Sequence, residues 1–548
     1  MTNVSSASSL DGGAPPQLSA TPRGLLLSLF QQLGLHGVLA LAAVPTLVWM
    51  YLSELGKPPL LNPKRMTELT ARGRLVDFGR RSKEIFLEGR ARFLEKPFRV
   101  LCEWGDVVVL HQKYIDEIRN NPHMNFATPT SDDLHSYIPG FDPFIATDAF
   151  ARVVRLYLTK ALTRVTGPLS LEAGRALRDL FGDSTEWHEI SPKNDLHTFV
   201  ARMSSLVFMG DELSRDQEWI EASSDWIKLG FQLRDVMGQY PRFMRPYIHW
   251  FMPSCWRLRK MLRRIRGALE PHLKRREEAK AAALREGKVL KYNDCIEWFG
   301  QEYDEGYDVA VSQMTLSLVA NHTTSDLMLQ TMLDLAVRPE LFAPLREEVV
   351  RVLSESGLRK TSLYKLKLMD SVLKETQRLK PVMIATFRRL ATADVRLSDG
   401  FLIKKNTRIV FENTHMWDDK YYERPLEYDA WRWVKMRDDP AREHLAHLVS
   451  TSANHMGFSH GQHSCPGRFF AANEIKIALC HLLLKYDWKL PDDSPELKPL
   501  IVGMGILPDP RARLLVRRRT PEIDLDSLDA ESFDREIIVT ESTAAAAS

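Results

Sequence analysis

Cys465 lies in the run Phe458–Leu484, FSHGQHSCPGRFFAANEIKIALCHLLL, with Gly461 four residues before it and Gly467 two after. Pro466 follows directly, and proline suits the first position of a helix because its missing N–H is not needed there. Phe469, Ala472, Ile475, Leu479 and Leu482 continue at three- and four-residue steps, which predicts one face of a helix starting at Pro466. The cysteine is therefore expected on a tight turn at a helix N-terminus, where the dipole and free amides favour thiolate over thiol. The flanking glycines let a flat ligand approach the backbone. A lone cysteine is most often a small buried apolar residue, so the neighbours carry the case. A zinc site built from His455, His460, His463 and Cys465 is the competing reading, but its spacing fits no usual zinc pair.

Three further groups have side chains suited to chemistry. His322, Thr323 and Thr324 sit in LVANHTTSDL, at the centre of a helical pattern over Asp308–Val337. A mid-helix threonine bonds a backbone carbonyl and offers a hydroxyl for proton relay. Glu375 and Arg378, in MDSVLKETQRL, share a helix face at a spacing of three, a pair worth little when exposed. Arg388 and Arg389 fall in the first of two alternating runs, Thr386–Leu397 and Phe401–Phe411, which read as a β-hairpin. Period-2 alternation lets only one of the two arginines face inward.

The pattern F-x-x-G-x-x-x-C-x-G, filled by Phe458, Gly461, Cys465 and Gly467, resembles the haem-thiolate loop of the cytochrome P-450 superfamily. The resemblance implies haem b with Cys465 as the iron ligand, and His463 on a haem propionate. Asn321-His322-Thr323-Thr324 resembles the family's central-helix motif, with His322 where an acid is usual and Ala320 for a glycine. It implies Thr323 and Thr324 in proton relay, with His322 a candidate for proton delivery. Glu375 and Arg378 match the family's E-x-x-R, whose third partner is expected to be Arg432 in YDAWRW, where Ala430 replaces a proline. That triad braces the cysteine loop and does no chemistry. Arg389 matches a propionate ligand, with Arg388 as the adjacent alternative. Arg155, in the helical stretch Ala149–Leu162, corresponds to another propionate partner and a basic reductase-docking face, although Ala151 stands where the family has tryptophan. Val502–Asp509 is an apolar turn where members line the pocket.

These correspondences cover about residues 60–518 and imply a mainly α fold with a small β-rich region. The implied activity is monooxygenation of a hydrophobic, terpenoid-derived substrate, using O2 and electrons from an NADPH–cytochrome P-450 reductase. The wording of the loop and of the central helix is most like fungal secondary-metabolite members acting on terpenoid, indole-diterpene or meroterpenoid skeletons. Two other classes are carried beside it. One is a haem-thiolate isomerase or dehydratase working without NADPH, and the other is a non-catalytic haem membrane protein.

The rest of the chain must position these groups. Its 548 residues are 44% hydrophobic and 26% charged, as in a globular protein. A net charge of +3 argues against a nucleic-acid partner. Five scattered cysteines suggest no disulfide framework and a reducing compartment. Residues 1–23 read as a disordered tail and 24–54 as a membrane anchor, since Gly24–Ser53 contains no Asp, Glu, Lys or Arg and Leu33–Leu52 is long enough to span a bilayer. Lys57, Lys64 and Arg65 follow it, against Arg23 before, which predicts a single pass in the endoplasmic reticulum membrane with the C-terminal mass cytosolic. A signal peptide cleaved near Ala40-Leu41-Ala42 is the rival, but its apolar stretch is too long. Residues 55–66, with Pro58, Pro59 and Pro63, form a stiff hinge to a catalytic domain over 67–518. Within that domain Arg257–Lys280 reads as a basic helix face suited to solvent or anionic lipid. Residues 519–548 turn acidic and then small and polar, and are expected to be disordered.

Overall fold

The computed structural model describes residues 48, 54–64, 68, 70–303, 307–528 and 536–540, the last five by their backbone pairing. The chain divides into two units at Pro59, inside the expected hinge, and the second, Leu60–Ser548, carries the fold. Among the described residues no helix is long and apolar enough to cross a membrane. The expected anchor, 24–54, and the expected tail, 1–23, lie outside the described residues apart from Val48 and Glu54.

The fold is mainly helical. Its centre is the helix Val309–Ala336, capped by the Asp308 carboxylate, which accepts from the Val311 N–H at 3.2 Å. Apolar residues surround this helix on nearly every side, the signature of a buried rather than a surface helix. Three of its four threonines bond the carbonyl four residues back: Thr315 to Val311, Thr323 to Val319 and Thr331 to Leu327. Pro192–Met209 packs along it, and Thr159–Phe181 packs between that helix and Arg468–Lys485. The last of these, which carries the cysteine loop, begins at Arg468 with Gly467 as its cap. It is not the amphipathic helix expected: Asn473, Glu474, Lys476 and His481 are buried beside its leucines. Its polar positions are buried because other helices cover that side too.

The β-rich part is a five-stranded sheet in the order Phe98–Cys102, Gly105–Leu110, Arg408–Glu412, Ala385–Ala391, Met124–Asn125. Gly105–Leu110 runs parallel to Arg408–Glu412, and the other neighbours are antiparallel. The expected hairpin is present, with a register shift between Thr386 and Arg389. Leu500–Val502 and Gly505–Leu507 form a second hairpin at the apolar turn. Pro253–Arg285 is one helix whose buried stripe is Cys255, Leu258, Leu262, Ile265 and Leu269, leaving arginines such as Arg257, Arg263 and Arg264 outward as the charge pattern predicts, while Arg276 turns in to pair with Asp294.

The acidic end departs from expectation. Leu525 is buried, Asp526 takes the buried Lys485 ammonium at 2.9 Å, and Glu522 pairs with Arg519 at 2.8 Å. Residues Glu536–Thr540 pair antiparallel with Lys288–Tyr292. Acidic composition hid this order, because Lys485, the partner of Asp526, and the strand Lys288–Tyr292 lie elsewhere in the chain.

Candidate active site

The cysteine loop is shaped by backbone bonds and one obligatory glycine. Cys465 N–H donates to the Phe458 carbonyl at 2.9 Å, and Ser464 N–H to the Gly461 carbonyl at 2.9 Å. Gly461 has φ +81°, and a Cβ there would meet the Arg119 carbonyl oxygen at 2.6 Å, so only glycine fits. Gly467 has an ordinary φ, and its missing Cβ leaves nothing closer than Val154 at 3.7 Å. Cys465 is exposed, yet the protein around it is dense enough to desolvate its thiol. Burial pushes its thiol pKa up, opposed by the N–H groups of Gly467 and Arg468 and by the Arg468 charge. For the free thiol, desolvation thus outweighs the helix N-terminus, so position alone does not make the thiolate. The zinc alternative fails as well. His455 bonds Gln377, His460 bonds Thr451 and Arg119, and no metal-ready cluster exists among the described residues.

The adjacent arginines have separate duties. Arg388 pairs with Asp133 at 3.3 Å and lies over the Trp104 ring. Arg389 is buried between the rings of Phe387 and Phe126, 4.1 and 5.3 Å away. It donates once, to the Arg388 carbonyl at 2.8 Å, while its Nε and one Nη are buried without partners. Desolvation, with help from Arg388, pulls its pKa down to about 9. Phe126 also stacks on His463, with centroids 5.8 Å apart. The His463 pKa is lowered by burial and then by the Arg389 and Arg155 charges, with Asp148 opposing. Arg155 sits exposed on a π-helical turn, Val154–Leu158, and its charge also reaches Arg468. Arg389, His463 and Arg155 therefore share one electropositive region.

On the central helix, Val319 is 50% exposed and Thr323, four residues on, is also exposed, although most of the helix is buried. The two share a face, and the Thr323 hydroxyl donates to the Val319 carbonyl at 3.0 Å. Thr324 is buried instead. His322 points toward Pro192–Met209: its ring lies 4.4 Å from that of His197, and its Nε2 is buried and unpartnered. Burial, then the His197, Lys193 and Lys228 charges, lower its pKa to about 4. One residue step turns a helical side chain by about 100°, so the structure does not bring His322 onto the Thr323 face.

Glu375 and Arg378 are fully buried and bidentate, at 2.8 and 3.0 Å. Arg432 Nε donates to both Glu375 oxygens, at 3.1 and 3.2 Å. Trp433 Nε1 and the Asp429 N–H complete the carboxylate shell at 3.1 and 3.2 Å. Arg378 spends its other donors on the Met416 and Pro425 carbonyls, both at 2.6 Å. Directly before Arg378, Gln377 Oε1 accepts from His455 Nε2 at 3.0 Å, tying this helix to the segment entering the cysteine loop. Phe126, Gln377 and Arg468 went unremarked in the sequence, and His455 entered only as a zinc candidate. Only Arg468, next to Gly467, had a local signal.

The donor set fits a haem. A buried guanidinium with two free nitrogens calls for an anion such as a propionate, and the accessible Cys465 thiol suits a soft metal. Comparison with known proteins agrees. The cytochrome P-450 family profile matches residues 66–516. A cytochrome P-450 monooxygenase of Fusarium heterosporum, eqxH, is 48% identical over 476 residues, 86% of this chain and 92% of its own. The monooxygenase ptmU of Penicillium ochrochloron is 39% identical, covering 89% of this chain and 97% of its own. The crystal structure of the cytochrome P-450DA haem domain superposes with a TM-score of 0.62 at 17% identity, covering 85% of this chain and 98% of that one. The chain belongs to the cytochrome P-450 family: it is a monooxygenase that carries haem with a cysteine thiolate ligand.

Proposed function

We propose that this enzyme oxidises a hydrophobic, terpenoid-derived secondary metabolite, with O2 and with electrons from an NADPH–cytochrome P-450 reductase, and that Cys465 is its iron ligand. The observation that carries the reading is Arg389, a buried cation with unpartnered donors in the same electropositive region as the Cys465 loop. The bound haem supplies oxygen activation and insertion of one oxygen atom into a C–H bond. The protein supplies the surroundings. Cys465 offers its sulfur, with the Gly467 and Arg468 N–H groups directed at it. Arg389 and His463 hold propionates, and the aromatic faces of Phe126 and Phe387 keep water from the Arg389 guanidinium. Thr323 keeps its hydroxyl hydrogen on the Val319 carbonyl, which leaves its oxygen lone pairs to receive a proton donor. Val319 presents an apolar wall beside it.

We also propose attachment to the endoplasmic reticulum membrane through residues 24–54, with the catalytic mass cytosolic. The uncharged run Gly24–Ser53 supports this. So do Phe243, Tyr247 and Phe251, which are exposed by 75%, 70% and 85% ahead of the basic helix Pro253–Arg285. The test is expression with a reductase and candidate terpenoid substrates, followed by metabolite profiling. Hydroxylated product dependent on NADPH is expected. Product formed without NADPH contradicts the reading and favours an isomerase or dehydratase.

A further inference from the structure

Lys374 precedes Glu375 but takes no part in the triad. Its side chain is fully buried, and its Nζ meets three backbone carbonyls: Leu445 at 2.9 Å, His447 at 2.6 Å and Ser450 at 2.9 Å. The ammonium also lies 4.7 Å from the centre of the Trp433 ring. Three acceptors around one nitrogen assign the protonated amine, because a neutral amine has only two hydrogens to give. A buried ammonium is costly unless dipoles replace its water, and here one turn of backbone, 445–450, wraps it.

That turn is also the support of the cysteine loop. Within it, the Val449 carbonyl accepts from Arg468 Nε at 3.1 Å. The same guanidinium donates to the Cys465 carbonyl at 2.9 Å and to the Ser464 hydroxyl at 3.2 Å. Just beyond the turn, the Thr451 hydroxyl meets His460 Nδ1 at 2.9 Å. The Leu448 N–H is fixed separately by Asp370 at 2.8 Å, so the turn is held from both sides.

We propose that Lys374 is a positioning residue for the thiolate. It fixes the 445–450 carbonyls, Val449 then holds Arg468, and Arg468 sets the polarity at the Cys465 sulfur. The inference rests on Cys465 as iron ligand. Lys374 touches neither substrate nor cofactor. Its effect reaches the sulfur through one carbonyl and one guanidinium.

The test uses full-length holoenzyme with Lys374→Met, Arg468→Met and the double variant. Two quantities are read: the midpoint potential of the haem iron, and the lifetime of the thiolate Soret band in the reduced, carbon monoxide-bound state. Withdrawing positive charge from the sulfur strengthens its donation, so both single variants shift the potential to more negative values. Both lose the band roughly tenfold faster, the size expected for a lost hydrogen bond to a charged group. The double variant shifts no further than Arg468→Met alone, because the two residues act in series. Additive shifts in the double variant overturn the proposal, as does a wild-type potential in Arg468→Met. If Lys374→Met does not fold, Lys374→Arg keeps the charge without the three-way geometry and must shift the potential in the same direction. A wild-type potential there also overturns the proposal. Absence of the thiolate band from the wild-type protein is a different result, since it removes the ligand assignment itself.

Discussion

Arg388 and Arg389 are neighbours in one strand with opposite fates: Arg388 is neutralised by Asp133 at 3.3 Å, while Arg389 keeps two buried nitrogens without a partner. The register shift between Thr386 and Arg389 and the left-handed φ of +58° at Phe387 separate the two side chains. A strand thus supplies one structural arginine and one that is free for a ligand.

Arg389→Ala is expected to weaken haem retention by roughly tenfold to a hundredfold, the range for one hydrogen bond to a charged group. The haem-to-protein ratio after dilution and gel filtration measures this. Arg388→Ala takes one of two guanidinium partners from Asp133, whose carboxyl is already held above its ordinary pKa by burial and which keeps Arg408, and lowers thermal stability while sparing haem affinity. Equal haem loss in both variants contradicts the separation of roles.

Glu375→Ala leaves Arg378 and Arg432 facing each other without the shared carboxylate. Breaking a buried pair in this way costs about 3–5 kcal/mol. A large fall in the yield of folded haem protein, or in its melting temperature, is expected. A melting temperature near that of the parent means the triad is not what braces the loop.

Thr323→Ala should retain the thiolate band and consume NADPH and O2 with little product, whereas Thr323→Ser should couple the two nearly as well as the parent. Its bond to Val319 concerns the hydroxyl alone, so serine keeps the chemistry. Coupling unchanged in the alanine variant would falsify the relay.

His322 is a source of acid instability. Its folded pKa, about 4, lies below its ordinary value near 6.5. Between those two values the unfolded chain binds the extra proton, so stability is full above pH 6.5 and falls as pH drops toward 4. His322→Asn removes that contribution. Denaturant midpoints at pH 8 and pH 5 should differ less in the variant than in the parent, while turnover is largely kept because His322 faces His197. A turnover collapse matching that of Thr323→Ala indicates a proton-delivery role after all.

Much of the site is legible in sequence because it is local. Cys465, Gly461 and Gly467 lie within one turn, and Glu375 and Arg378 within another. What the sequence hides depends on long-range contact. Phe126 reaches both Arg389 and His463, hundreds of residues away in the chain, and a phenylalanine in a loop carries no mark of that. Lys374 meets backbone carbonyls, and these have no residue signature at all. His322 is misplaced by a single helical step, too fine for a motif to resolve. The chain end looked unstructured by composition, yet Asp526 finds Lys485. The mainly helical fold is implied by the resemblance, while periodicity marks single helices such as Val309–Ala336 and Arg468–Lys485. In the latter, tertiary burial on every side overrides the amphipathic pattern.

The central claim is Cys465 as the thiolate ligand of haem iron, and the absorption spectrum of the reduced, carbon monoxide-bound protein tests it most directly. The parent protein is expected to show the red-shifted thiolate Soret band, and Cys465→Ala to lack it. A parent protein that binds haem without that band, or a Cys465→Ala variant that keeps it, contradicts the account.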